Sequence, residues 1–163
     1  MLVGVIHYGL AVGLAIALLF AAFTDIRRRQ IDNWLNAAIA LAAPLFWWSG
    51  GLSLWPDMAM QFGFALLVTA VLIGLYAMRT MGGGDVKLLA ALSLWLAPGL
   101  YFTLVVIMAL AGGLLTIGMI MRARFSAEKV KPVIPYGVAI AIGGLWVLNA
   151  QYALIASTAA LAG

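Results

Sequence analysis

Long apolar stretches separated by short polar segments dominate the pattern along this chain. The apolar runs cover residues 3–23, 34–49, 58–78, 86–97, 100–121 and 137–159. A transmembrane α-helix needs about 20 consecutive, mostly apolar residues. The pattern therefore predicts an all-α integral membrane protein, a single domain over residues 1–163 built as a bundle of six transmembrane helices.

Two of the predicted helices are short. As helices, residues 34–49 and 86–97 extend only about 24 Å and about 18 Å, whereas the hydrocarbon core of a bilayer is about 30 Å thick. Merging 86–121 into one helix of about 54 Å makes it far too long, and Pro98-Gly99 marks a turn there. Short second and fourth helices would leave a depression that water can enter.

Composition supports a membrane protein, since 66% of the residues are hydrophobic and 9% are charged, against about 25% charged in soluble domains. The chain has no cysteine, which excludes disulfides and cysteine-ligated zinc. Neither a nucleic-acid-binding pattern nor a cofactor or metal site is recognisable. The first residues lack the basic region of a cleavable signal peptide, so the first run is expected to be a retained span.

Charge placement predicts the orientation. All nine Lys and Arg residues lie in or beside three connections, at 24–33, 79–87 and 122–136. The alternate connections, near 50–57 and 98–99, carry only Asp57. Because positive charge accumulates in cytoplasmic loops, both termini are expected outside and the three basic connections inside.

Tryptophan residues cluster near the ends of the predicted spans. Five of the six lie there: Trp34, Trp47, Trp48, Trp55 and Trp95. Tryptophan is enriched at membrane interfaces, so interfacial anchoring is predicted for them.

Two of the five acidic residues are candidates for chemistry. Asp25 follows the first apolar run, and Asp85 opens the fourth, so both are expected at the cytoplasmic face. Two carboxylates brought close share a proton and titrate as a unit. The ionised one can take a proton from water while the protonated one binds a scissile carbonyl, which is aspartic-protease chemistry without a metal or a covalent intermediate.

Simpler explanations exist for both residues. Asp85 follows Gly82-Gly83-Gly84 and is well suited to cap a helix, although three glycines also let a backbone approach a ligand and let the loop move. Asp25 is close in sequence to the arginines at 27–29 and can form a salt bridge. The single histidine, His7, is expected to be structural or solvated.

Other classes of function are a transporter or proton relay that uses Asp25 and Asp85, and an assembly factor whose acids are structural. A relay would place acids at mid-depth. No predicted span carries an acid there, which counts against transport.

Three stretches resemble the type IV prepilin peptidases, the membrane aspartyl proteases with a GxGD motif. The stretch at 82–87, GGGDVK, is similar to the GxGD motif and its following lysine. Asp25 with Ile31-Asp32-Asn33 resembles the first catalytic aspartate and the Ile-Pro-Asn near it. Lys131 and the stretch at 134–137, IPYG, resemble the segment before the last span.

The resemblance implies a bacterial inner-membrane peptidase with its active site at the cytoplasmic face. Its partners would be membrane lipids and a type IV pilin-like precursor, from which it removes a basic leader. Asp25 and Asp85 would be the catalytic pair, with Gly82, Gly83 and Gly84 shaping the loop. Residues implied in substrate binding or in tuning the site are Asp32, Asn33, Lys87, Lys131, Pro135 and Tyr136. A related alternative is an archaeal preflagellin peptidase.

The chain also departs from the family pattern. Asp32 stands where the family usually has proline, so a third acid is expected near the site, where it attracts a basic leader or balances the arginines. Longer members carry a cysteine-rich insertion after the first span and methylate the product. This chain has no cysteine and about ten residues there, so it resembles the short Flp/Tad-type members, and methyltransferase activity is not expected.

Overall fold

The computed structural model describes residues 2–125 and 136–162, and these residues contain six α-helices and no strand. In chain order the helices are α1 (Leu2–Arg28), α2 (Asn33–Ser49), α3 (Ala59–Ala77), α4 (Gly83–Trp95), α5 (Pro98–Phe125) and α6 (Tyr136–Ala162). A short π-helical segment, Leu54–Met58, leads into α3. The predicted all-α class is confirmed for the described residues.

Three helical stretches in the described residues are long and apolar enough to cross a membrane. They are Leu2–Arg28, Leu54–Ala77 and Pro98–Arg122. Helices α2 and α4 are short, as predicted, with 17 and 13 residues. The prediction was wrong about the end of α1, because this helix continues to Arg28 and therefore contains Asp25.

Helix α4 is largely enclosed by other helices: it packs against α2 and α3, with smaller contacts to α5 and α6. Seven of its 13 residues are buried, and Leu88 and Leu92 have no exposed surface. Helix α6 packs on α1 and α5. There a Cβ atom added to Gly143 would lie 2.8 Å from the carbonyl oxygen of Leu104, so small residues bring these helices together.

Side chains from two other helices donate hydrogen bonds to the backbone carbonyls at the carboxyl end of α4. The amide nitrogen of Gln61 on α3 donates to the carbonyl oxygens of Ser93, at 2.8 Å, and Leu96, at 2.9 Å. The indole nitrogen of Trp47 on α2 donates to the carbonyl oxygen of Leu94 at 2.7 Å. The last carbonyls of a helix lack partners within it, and such groups are costly in hydrocarbon. These bonds therefore allow α4 to end after 13 residues.

The interfacial prediction was wrong for two of the five tryptophans. Trp47 and Trp95 are only 8% and 6% exposed, and the indole nitrogen of Trp95 donates to the carbonyl oxygen of Ile39 at 2.8 Å. Both rings lie inside the bundle because their N–H groups have backbone acceptors there. Trp34, Trp48 and Trp55 are exposed, and their interfacial position stays a prediction.

Candidate active site

The last turns of α1 place Asp25 inside the protein. Its side chain is buried, with 7% exposure, and its Oδ2 accepts a hydrogen bond of 2.8 Å from the backbone N–H of Gly137. Gly137 is the second residue of α6, where backbone N–H groups have no partner within the helix. The carboxylate of Asp25 therefore meets the N-terminus of α6, where a helix presents free N–H donors and the positive end of its dipole.

Gly137 leaves no room for a side chain beside Asp25. A Cβ atom at this position would lie 2.9 Å from Oδ2 and 3.0 Å from Cγ of Asp25, closer than real Cβ contacts. Gly137 is the last residue of the IPYG stretch, and it is not among the site residues predicted from the sequence. The available signal was a glycine at the start of a predicted helix, whose free N–H can meet an anion.

The other residues that the sequence predicted at the site near the start of α6 are not among the described residues that line the cavity with Asp25. Tyr136 is half-exposed, and its ring lies against Gly112 on α5, where an added Cβ would be 3.6 Å from Cε1. Tyr136 therefore does not line the described part of this cavity. Lys131 and Pro135 lie outside the described residues.

Asp85 is held by the start of α4. Gly82 is the N-cap and α4 begins at Gly83, so Asp85 is the third helical residue, and the alternative that it is itself the N-cap is wrong. Its carboxylate instead accepts a hydrogen bond from the backbone N–H of Gly82. An acid at this position that reaches back to the N-cap N–H is half of a capping box.

The three glycines before Asp85 are closely packed against neighbouring atoms. A Cβ atom on Gly82 would lie 2.8 Å from Oδ2 of Asp85, and one on Gly84 would lie 3.3 Å from Cβ of Ile31. Gly83 is similarly close to the ring of Tyr76, at 3.3 Å. Gly82 has φ of −69°, which any residue can adopt. Close packing therefore explains this stretch better than conformational freedom does.

One cavity of about 450 Å³ brings the predicted pair together, and Asp25 and Asp85 both line it. The remaining lining residues come from the α1–α2 connection and from the start of α4: Arg29, Gln30, Ile31, Asp32, Asn33, Gly82, Gly83 and Gly84. Three carboxylates and one guanidinium thus line the described wall. This cavity is acidic, although the connections around it are basic.

The environment of Asp85 favours its protonated form. Burial and, to a smaller extent, the negative charge of Asp25 raise its pKa, whereas the N–H of Gly82 lowers it; together these effects bring the pKa to about 6. Asp85 precedes the apolar run 86–97 and so lies outside the predicted span. Near pH 6 and below, the pair can therefore hold one proton between its two carboxylates.

The neighbouring charged residues have partners of their own. Nη2 of Arg28 contacts Oδ2 of Asp32 at 2.8 Å, and the guanidinium of Arg27 lies 5.2 Å from the centre of the Phe23 ring. The salt bridge proposed as an alternative role for Asp25 is therefore not made by Arg28, whose carboxylate partner is Asp32.

Lys87 and Asn33 join α4 to α2. Nζ of Lys87 donates to Oδ1 of Asn33 at 2.7 Å, and both side chains are exposed. Lys87 therefore positions the N-terminus of α2 beside the start of α4, which agrees with a positioning role rather than with direct contact to the carboxylate pair.

His7 belongs to a separate cluster near the start of α1. Its Nδ1 lies 3.1 Å from Oγ of Ser49, and its ring stacks on Phe46 with 4.3 Å between the ring centres. Ser49 also donates to the carbonyl oxygen of Phe46 at 3.0 Å. Sequence reasoning overlooked Ser49 as a partner, but these contacts confirm the structural role predicted for His7.

The chain is apolar and all-helical in its described residues, and two carboxylates line one cavity. These features are typical of a membrane protein that performs acid–base chemistry. The sequence matches the type IV leader peptidase family over residues 12–117, which is most of the chain and includes both aspartates. The chain therefore belongs to this family, as the resemblance predicted. Membership implies a membrane peptidase that processes pilin-like precursors. Comparisons with curated proteins and with solved structures gave no match.

Proposed function

We propose that the chain is an aspartic endopeptidase that removes the leader of a type IV pilin-like precursor at the cytoplasmic face of the bacterial inner membrane. The observation that carries this proposal is the shared cavity of Asp25 and Asp85. The family match supplies the substrate class. The cavity is acidic, which suits the basic leader that the sequence resemblance implies.

The two carboxylates have different roles in the proposed mechanism. Asp25, which accepts a hydrogen bond from the N–H of Gly137, is the base and takes a proton from a water molecule, whose oxygen attacks the scissile carbonyl carbon. Asp85, whose pKa is raised to about 6, donates its proton to the carbonyl oxygen. Asp25 then gives its proton to the leaving nitrogen as the C–N bond breaks. One hydroxyl group of the tetrahedral intermediate returns its proton to Asp85 as the carbonyl forms again.

Other cavity residues are proposed to guide the substrate. Asp32 lines the cavity, and its carboxylate is proposed to exchange its partner Arg28 for a basic residue of the leader. Asn33 also lines the cavity, and Lys87 holds this asparagine in place. Basic residues of the connections are proposed to bind anionic lipid headgroups. This division accounts for an acidic cavity within a basic face.

The proposed orientation has six spans with both termini outside. It is supported by the placement of the nine basic residues and by the meeting of the end of α1 with the starts of α4 and α6 around the carboxylate pair. Reporter fusions after residues 55, 83 and 128 are expected to read outside, inside and inside. An outside signal at 83 would contradict the orientation.

The function is tested by co-expression with a pilin-like precursor, followed by mass measurement of the pilin. The expected product has lost the leader at one peptide bond, and hydrolysis in H₂¹⁸O places one label in the new leader carboxylate. An intact precursor in the presence of the folded protein would reject the proposal.

The raised pKa of Asp85 predicts a pH dependence. Because the protonated form of Asp85 is the acid in the proposed mechanism, kcat/KM is expected to fall as pH rises through about 6. Asp25→Asn removes the repulsion from the neighbouring charge, so the carboxyl band of Asp85 should titrate at a lower pH in infrared spectra. A rate that keeps rising above pH 6, or an unchanged titration in this variant, would contradict the division of roles.

A further inference from the structure

A second cavity of about 440 Å³ lies between α2, α3 and α4, and it shares the lining residue Asn33 with the acidic cavity. Its walls are mostly apolar, and many of the side chains are small: Ala37, Ala40, Ala65, Ala90 and Ala91. Small residues in a membrane protein let another helix approach closely. This apolar groove is the place in the described structure where such an approach adjoins the acidic cavity.

One polar side chain in the groove lacks a partner. Asn36 lines it and is only 5% exposed, yet neither its amide nitrogen nor its amide oxygen has a hydrogen bond to any described residue. An amide in apolar surroundings is costly without hydrogen bonds. A ligand with a polar group at this depth would remove that cost.

The groove and the acidic cavity adjoin at Asn33, which lines both. Asn36 is one helical turn further along α2, about 4.5 Å deeper. A chain whose scissile bond lies between Asp25 and Asp85 can therefore pass Asn33 and continue along Asn36 into the groove.

We propose that the groove binds the apolar helix of the precursor, and that Asn36 forms hydrogen bonds with one polar side chain in the first two turns of that helix. This proposal rests on the proposed function. A lipid acyl chain is the competing occupant, but it offers neither a donor nor an acceptor for the amide. A polar side chain on a bound helix offers both.

The first test locates the helix by photo-crosslinking in phosphatidylcholine vesicles, with the Asp85→Asn variant to keep the probe intact. The probe is a synthetic peptide with a leader of about five residues containing two lysines, followed by about 20 Leu and Ala residues with one Ser in the first two turns. Phe62 on α3 lines the groove, whereas Met60 lies about 200° away on the same helix and is exposed. A benzophenone side chain at 62 should capture about tenfold more peptide than one at 60.

The second test concerns Asn36 itself. The wild-type protein should prefer the Ser-containing peptide over an all-apolar one by about threefold to tenfold, the usual range for one hydrogen bond. Asn36→Leu, a swap of similar volume, should abolish the preference while the protein stays folded. Binding is measured by competition for the labelled probe, without any need for cleavage.

The third test is steric. Ala37→Trp places a large side chain in the groove and should weaken peptide binding by about tenfold or more. Ala38→Trp is the matched control, since Ala38 is also exposed but lies on the α1 side of α2, among residues such as Gly13 and Leu14. Equal effects of the two substitutions would overturn the proposal.

The outcomes separate this proposal from the proposed function. If the protein cleaves the precursor but crosslinks the peptide equally at 62 and 60, binding in the groove is rejected and the peptidase function stands. The same conclusion follows if the protein cleaves and the preference for Ser survives Asn36→Leu. Capture at 62 that depends on Asn36, without any cleavage by the wild-type protein, supports the groove and rejects the peptidase. If a diazirine-labelled fatty acyl chain is captured at 62 and the peptide does not displace it, the groove is a lipid site and the proposal is overturned.

Discussion

Asp25→Asn and Asp85→Asn are each expected to reduce leader removal by about a thousandfold, within the usual range for loss of a general acid or base. Neither amide can accept the proton from water or hold the shared proton of the pair. Each amide oxygen can still accept the backbone hydrogen bond, from Gly137 at position 25 or from Gly82 at position 85. The fold should therefore survive, and the loss should be in kcat.

The matched control is Asp57→Asn, which makes the same chemical change far from the pair. Asp57 is in the connection before α3, where Oδ2 accepts hydrogen bonds from Ser53. Leader removal should stay within about twofold of the wild-type rate, as expected for an exposed residue outside the site. Rates are measured by mass spectrometry of the pilin over time. Near-normal cleavage by either variant of the pair would remove that aspartate from the mechanism.

Gly137→Ala is expected to reduce kcat by about a hundredfold, since displacement of a catalytic group by about 1 Å can have this effect. The new methyl group would lie within 3.0 Å of the Asp25 side chain. Either the carboxylate or the start of α6 must move, and the hydrogen bond of 2.8 Å would be lost or lengthened. KM should change much less, because the groove is lined by α2, α3 and α4 and not by α6.

Gly113→Ala on α5 is the control for the effect of a glycine replacement on helix stability. A Cβ atom at Gly113 meets nothing within 4 Å, so this substitution should slightly stabilise its helix and leave kcat unchanged. Steady-state kinetics and thermal unfolding of both variants are the measurements. If Gly137→Ala cleaves as fast as Gly113→Ala does, Gly137 does not position Asp25.

Hydropathy predicted the helices because it reports which segments can lie in lipid, where the backbone must form a helix to satisfy its hydrogen bonds. It placed the end of α1 too early for the same reason. Thr24 and Asp25 are polar and were assigned to a loop, but both are buried in the last turns of α1. Hydropathy reports the preference of a residue for lipid, whereas helix continuation depends on backbone bonds that polar residues also make.

The shared cavity of the two aspartates was predictable, because charge counting placed both residues at the same predicted membrane face; their catalytic role stays a prediction. The backbone donor to Asp25 comes from Gly137, 112 positions along the chain, and no local pattern indicates such a contact. The buried indoles of Trp47 and Trp95 were misjudged for a similar reason. Their acceptors are the carbonyls of Leu94 and Ile39, which become available only through helix packing.

The hydrogen-bonded carboxyl end of α4 limits how many residues of a bound helix the proposed groove can contact. Gln61 joins α3 to the last carbonyls of α4, so these helices are fastened together about 20 Å from the start of α4. A bound helix can lie beside α4 for only about thirteen residues before it leaves for lipid. Precursors that share their first turns should therefore be accepted even when the distal halves of their helices are unrelated, and one peptidase of this kind could serve a varied set of pilins.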